Sequence, residues 1–144
     1  MDRNRLFKPV VLLMLFIFSF YLFIQKFHWD YSIWWIDMLM HFLGGFWQGI
    51  FFLWYFSVVN IPFLRRPVQD INTKTLWYVL SFVLFVGVCW EAGEFLTSNY
   101  IGREPFSIID TISDIFMDLA GGASAIIYAF KKIMPKQDFK VQSK

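Results

Sequence analysis

The chain reads as all-α: a polytopic membrane protein, a four-transmembrane-helix bundle with both termini cytoplasmic. Three observations predict this. Of 144 residues, 58% are hydrophobic and 22% aromatic, with a mean hydropathy of +0.51, well above the apolar share of an ordinary soluble domain. Four apolar stretches, 9–25, 33–59, 75–96 and 106–133, are long enough to cross a hydrocarbon core about 30 Å thick as helices. Eleven of the thirteen Lys and Arg fall in alternate connections and tails, the asymmetry that marks cytoplasmic loops.

The first span contains the run Val10 to Phe18, apolar on every side. A β-barrel strand would alternate apolar and polar residues, so the run is helical. Arg3, Arg5 and Lys8 precede it as in a secretory signal, but no small-x-small cleavage site follows, and the span is read as retained. The connection after it holds Lys26, His28, Trp29, Tyr31, Trp34 and Trp35, an aromatic belt at the outer interface. His28 belongs to that belt.

The second span leads into a connection with Arg65, Arg66 and Lys74, which is cytoplasmic. The third ends before an outer connection whose one cation is Arg103. The fourth is followed by Lys131, Lys132, Lys136, Lys140 and Lys144. The whole of 1–144 is thus one membrane domain with a basic cytoplasmic tail at 134–144. That tail can meet acidic lipid, although satisfying the topology rule already accounts for it. The single Cys89 lies within an apolar span, so neither an intrachain disulfide nor a thiolate metal motif is available. There is no internal repeat, phosphate-binding glycine loop or nucleophile-elbow motif, and nucleic acid is not an expected partner. The expected partners are membrane lipids.

Polar residues inside the spans carry the chemistry. Alternate spans run in opposite directions, so Asp37 and His41 at the start of the second, Glu91 and Glu94 at the end of the third, and Asp110 and Asp114 at the start of the fourth share one depth. Asp118 lies deeper. Residues three or four apart share a helix face. Asp37, His41, Gly45 and Gly49 therefore form one stripe with Gln48 beside it; Gly87, Glu91, Glu94 and Ser98 form another; Asp110, Asp114, Asp118 and Gly122 form a third, with Gly121 adjacent. Small residues in each stripe let helices approach closely. Gly45 to Gly49 also matches a dimerisation pattern, but sharing the His41 stripe favours internal packing. The first span offers only Ser19 and Tyr21 and is expected to support the bundle.

An acid at mid-span costs about 2.5 to 3.5 kcal/mol on the insertion scale, against about 0.3 to 0.6 gained per large apolar residue. Two ionised carboxylates about 6 Å apart repel by roughly 3 kcal/mol at an effective dielectric near 20. The outer half sets Lys26 and Arg103 against Asp30, Asp37, Glu91, Glu94, Glu104, Asp110, Asp114 and Asp118. Either several carboxyls hold protons because burial disfavours charge, or an external cation binds. Asp, Glu and a His suit a divalent ion, and the cation is the favoured reading. Singly, Glu91 and Glu94 would be protonated packing residues and Asp110 an ordinary helix N-terminal acid; their convergence changes the reading.

Three segments, Asp37-Met-Leu-Met-His41-Phe-Leu-Gly-Gly-Phe46, Trp90-Glu-Ala-Gly-Glu94-Phe95 and Asp110-Thr-Ile-Ser-Asp114, resemble in order and spacing the YjdF-like family of bacterial inner-membrane proteins, a family of unknown function. The resemblance runs from about Asp37 to Gly122 and carries over Asp37, His41, Glu91, Glu94, Asp110 and Asp114. Asp118, apolar in some members, rests on its helix stripe instead. The resemblance implies a bacterial inner (plasma) membrane and this grouping of residues; it implies no reaction.

The expected site is therefore a cluster open toward the outer face, with Asp37, His41, Glu91, Glu94, Asp110, Asp114 and Asp118 as metal ligands. The ion is Mg, Mn, Zn or Fe, which these ligands do not distinguish. In an enzyme, the ion would neutralise a phosphate or activate water against a lipid-linked substrate, with His41, Glu91 and Asp114 as the catalytic groups. A proton or cation relay is a second class. With few polar residues beyond Ser57 and Ser124 in the inner halves, its path would run between copies in a homo-oligomer. A non-catalytic scaffold is the third.

Overall fold

A computed structural model describes residues 3–58, 73–101 and 107–133. Within them the chain forms α1 (Arg3–Phe27), α2 (Trp29–Ser32), α3 (Ile36–Val58), α4 (Thr73–Ile101) and α5 (Ile108–Ile133), with no strand among the described residues. Four segments, Leu6–Phe27, Ile36–Phe56, Lys74–Ser98 and Ile108–Lys131, are long and apolar enough to cross a membrane. These are the four spans expected from hydropathy. The loop carrying Arg65 and Arg66, the Arg103 and Glu104 connection, and the basic tail from 134 lie outside the described residues.

The second span begins later than hydropathy predicts. His28 adopts a left-handed backbone, φ 52°, which ends α1 and turns the chain into the single turn of α2. Histidine is among the residues that enter this region more readily than most. The Ile33 N–H then donates to the Trp29 carbonyl at 2.8 Å and the Ile36 N–H to Ile33 at 3.0 Å, so 33–35 form a connector before α3. Trp29 folds back onto Phe27, with ring centroids 5.8 Å apart, and apolarity alone did not separate the connector 33–35 from the span.

Helix α3 is the hub, touching α1, α4 and α5. Its contact with α5 is the closest in the bundle, and glycine explains why. A Cβ on Gly45 would strike the Asp118 backbone carbonyl, one on Gly121 would strike the Phe42 carbonyl, and one on Gly49 would lie 2.6 Å from the Ala125 Cβ. The Gly45 to Gly49 pattern is thus used inside the chain, where missing side chains let two backbones meet.

At one end of the bundle, Leu6 and Val10 of α1, Ile50, Phe52 and Leu53 of α3, Val79 and Val83 of α4, and Ala125, Ile126 and Ala129 of α5 form a buried apolar core. Phe7 stacks toward Trp54 at 5.3 Å and Phe52 meets Phe82 at 5.2 Å. This cluster joins the start of α1 to the end of α3, the start of α4 and the end of α5, as antiparallel spans require. Trp47 Nε1 donates to the Val10 carbonyl at 3.0 Å, tying α1 to α3. By contrast, no Cα of α1 comes within 8 Å of a Cα of α4 among the described residues.

A candidate cation site in a membrane-embedded cavity

The other end of the bundle is hollow. A cavity of about 840 Å³ lies among α1, α3, α4 and α5, and Asp30, Asp37, His41, Gln48, Glu91, Glu94, Ser98, Asp110 and Asp118 all line it. Helical spacing delivers these groups: Asp37 and His41 are one turn apart on α3, and Asp110 and Asp118 lie on one face of α5 with the buried Asp114 between them, behind the lining. Ser107 caps α5, its hydroxyl accepting from the Asp110 N–H at 3.4 Å, a short polar residue meeting an orphan donor of the first turn. The cap fixes where the acid-bearing stripe begins.

His41 sits at the centre. Its Nδ1 lies 3.4 Å from Asp118 Oδ2 and its Nε2 lies 3.9 Å from Asp37 Oδ1. With the proton on Nδ1, the ring donates to Asp118 and turns an unshared pair on Nε2 toward Asp37. A carboxylate that fixes the tautomer of a ligating His in this way is a common support of metal sites. Room for Asp118 comes from α4: a Cβ on Gly87 would stand 2.6 Å from Asp118 Oδ2.

One donor atom from each of Asp37, His41 and Asp114 falls within 4.8 Å of the other two. An ion bonded at about 2 Å to each requires them roughly 3 to 4 Å apart, so the group stands somewhat wider than a bound ion would hold it. Asp114 is 1% exposed with its Oδ1 lacking a hydrogen-bond partner, and Glu91 is 6% exposed with Oε1 likewise unpartnered. A buried carboxylate oxygen without a partner is costly, and a cation held with the His41 imidazole would satisfy the one on Asp114. Among the described residues, Lys26 is the one Lys or Arg at this end. Its ammonium lies 5.7 Å from the Phe27 ring centroid.

The seven residues expected as ligands therefore take different places. Asp37, His41 and Asp114 form the compact group. Asp118 contacts the Nδ1 side of the imidazole, opposite the Nε2 that faces Asp37. Glu91 and Asp110 line the cavity outside that group. Glu94 accepts a hydrogen bond from Trp90 Nε1 at 2.9 Å on its own helix and is exposed.

Several features were not visible in the sequence. Helix α1, expected only to support the bundle, forms one cavity wall through Met14, Ile17, Phe18 and Tyr21. Asp30 reaches the cavity because α2 folds back, and the buried Gln48 Oε1 has no partner. The i, i+3 and i+4 spacing had already put Gln48 beside His41, whereas no local signal announced Asp30 or the α1 wall.

The family DUF2238, described as a predicted membrane protein, matches residues 1–133, a span that includes every residue of the site. No curated protein and no solved structure matches the chain.

Proposed function

The chain belongs to the DUF2238 family of predicted membrane proteins, and from that premise we propose a single-domain, multi-pass protein of a bacterial inner membrane that holds a divalent cation in its outward-facing cavity. The termini are cytoplasmic in this reading, supported by the concentration of Lys and Arg in the tails and the connection between the second and third spans. Asp37, His41 and Asp114 hold the ion, Asp118 orients His41, and Glu91, Glu94 and Asp110 complete the negative cavity. The observation that carries the reading is the meeting of three donor atoms within 4.8 Å, one of them from Asp114, whose buried Oδ1 has no hydrogen-bond partner.

Carboxylate oxygens with one imidazole suit Mg or Mn and also admit Zn or Fe. Such an ion supplies charge for a phosphate and an acidified water. Glu91 borders the cavity, and His41 and Asp114 meet at the ion; these three are the groups proposed to act in hydrolysis or transfer on a lipid-linked phosphate. A proton or cation relay receives less support, because the buried core from Leu6 to Ala129 is apolar and occupies the opposite half of the bundle. A path around it would have to run between copies of the chain.

Metal analysis of detergent-purified protein tests the reading. Wild type is expected to retain or take up about one equivalent of Mn or Mg, the count a single three-ligand site dictates, and His41→Ala and Asp114→Asn to lose it. Equal, negligible metal in all three proteins would remove the cation. Loss of metal from both variants with an unchanged cellular phenotype would reduce the site to a scaffold element.

A further inference from the structure

The cavity has two chemically opposite walls. Every carboxylate and the imidazole come from α2, α3, α4 or α5, whereas α1 offers Met14, Ile17 and Phe18 at mid-span. A water-soluble ion or sugar gains nothing from such a wall. An amphipathic molecule matches both sides.

Helices α1 and α4 stay apart, with no Cα pair within 8 Å among the described residues, yet residues of both line the cavity. In a bilayer, the space between two separated spans opens sideways onto hydrocarbon. The α1 wall descends from Gln25 to Met14, about 16 Å at 1.5 Å per residue, and one leaflet of the hydrocarbon core is about 15 Å deep. A lipid chain of the outer leaflet has that length. At the inner end of the wall, the site provides Glu91 and Asp118, with Gly44 between His41 and Gln48 leaving open space: a Cβ there would meet nothing within 4 Å.

We infer that a phosphate-bearing membrane lipid occupies this cavity through the gap between α1 and α4, its chain against Met14, Ile17 and Phe18 and its headgroup on the cation beside His41. The inference rests on the cation reading, since a phosphate among these carboxylates requires a positive ion between them. The lateral gap selects ligands from the membrane, and the cation selects phosphate among their headgroups.

The test uses the full chain in phosphatidylcholine vesicles with Mn2+ and a trace of phosphatidic acid carrying a diazirine on its chain. Photolabelling mapped to single residues by mass spectrometry is expected on Met14, Ile17 and Phe18 of α1 and on Val86 and Trp90 of α4, and on few other positions. Gly44→Leu, whose Cβ would enter open space on the cavity wall, and removal of Mn2+ are each expected to cut this labelling by about tenfold, the factor that follows from losing one strong contact. Labelling spread evenly over Leu12, Leu15, Phe16 and Phe23, or unchanged in Gly44→Leu, overturns the inference. Competition by soluble glycerol phosphate as effective as by unlabelled lipid overturns it too, because the ligand would then come from water. Spin-resonance measurement of bound Mn2+ in the same samples separates the two levels. Mn2+ bound with unfocused labelling sinks the lipid alone, whereas focused labelling with no Mn2+ bound sinks the cation and the bridging together.

Discussion

The two ends of this bundle are built from the same four helices and solve opposite problems. At one end, Leu6, Leu53, Val79, Val83 and Ala129 fill all the space between the helices. At the other, Asp37, His41, Glu91 and Asp118 surround a cavity of about 840 Å³. Lipid tails are as apolar as Leu, so the packed end gains from close contact and shape and tolerates no hole. The hollow end tolerates charge only because the packed end holds the helices in register. Stability and chemistry are therefore separable, and substitutions should divide along that line.

The largest effect is expected at the packed end. Leu53 is fully buried, and Leu53→Ala should lower the unfolding free energy by about 2 to 4 kcal/mol, read by denaturant titration in detergent. Mn2+ affinity should stay within twofold of wild type, about 0.4 kcal/mol on the affinity scale. A parallel collapse of affinity would show that the two ends are not separable. His41→Ala should do the reverse, weakening Mn2+ by about 100-fold or more, beyond the usual cost of losing a supporting partner, with an unfolding midpoint close to wild type. Spin-resonance titration checks the first number and the same denaturant series the second.

Smaller effects sharpen the division within the hollow end. Asp118→Asn keeps shape while weakening the acceptor on His41 Nδ1, and about tenfold loss of Mn2+ affinity is expected. Gly87→Ala should act in the same direction from another helix, because its new methyl group would press on Asp118 Oδ2. Unchanged affinity in both would show that Asp118 does not orient the imidazole. The smallest effect is expected from Trp90→Phe, which removes only the exposed donor to Glu94. Stability should change by about 0.5 kcal/mol, the low end for one hydrogen bond, and affinity should hold.

How far the sequence discloses this molecule depends on whether a feature is local. The run Val10 to Phe18 identifies a span from composition alone, and Asp37 and His41 declare a shared face through their spacing. The face that Gly87 presents was also legible. That its missing side chain makes room for Asp118, thirty-one positions later on another helix, was not, because helical periodicity tells which way a residue points and never which partner stands opposite. The α2 turn escaped for a related reason. The connector after it, 33–35, is as apolar as the span it precedes, and the break depends on the single backbone conformation of His28. The α1 wall was hidden because Met, Ile and Phe look alike in sequence whether they face lipid tails or a cavity.

Every atom of the compact group comes from two helices. Asp37 and His41 ride on α3, and Asp114 and the supporting Asp118 ride on α5, the pair whose backbones meet at Gly45 and Gly121. That seam behaves as a common chassis: the spacing of the donor atoms is set by two backbones in contact, and neither α1 nor α4 supplies an atom of the compact group. The glycines, which carry no chemistry, set the tolerance to which the chemistry is machined.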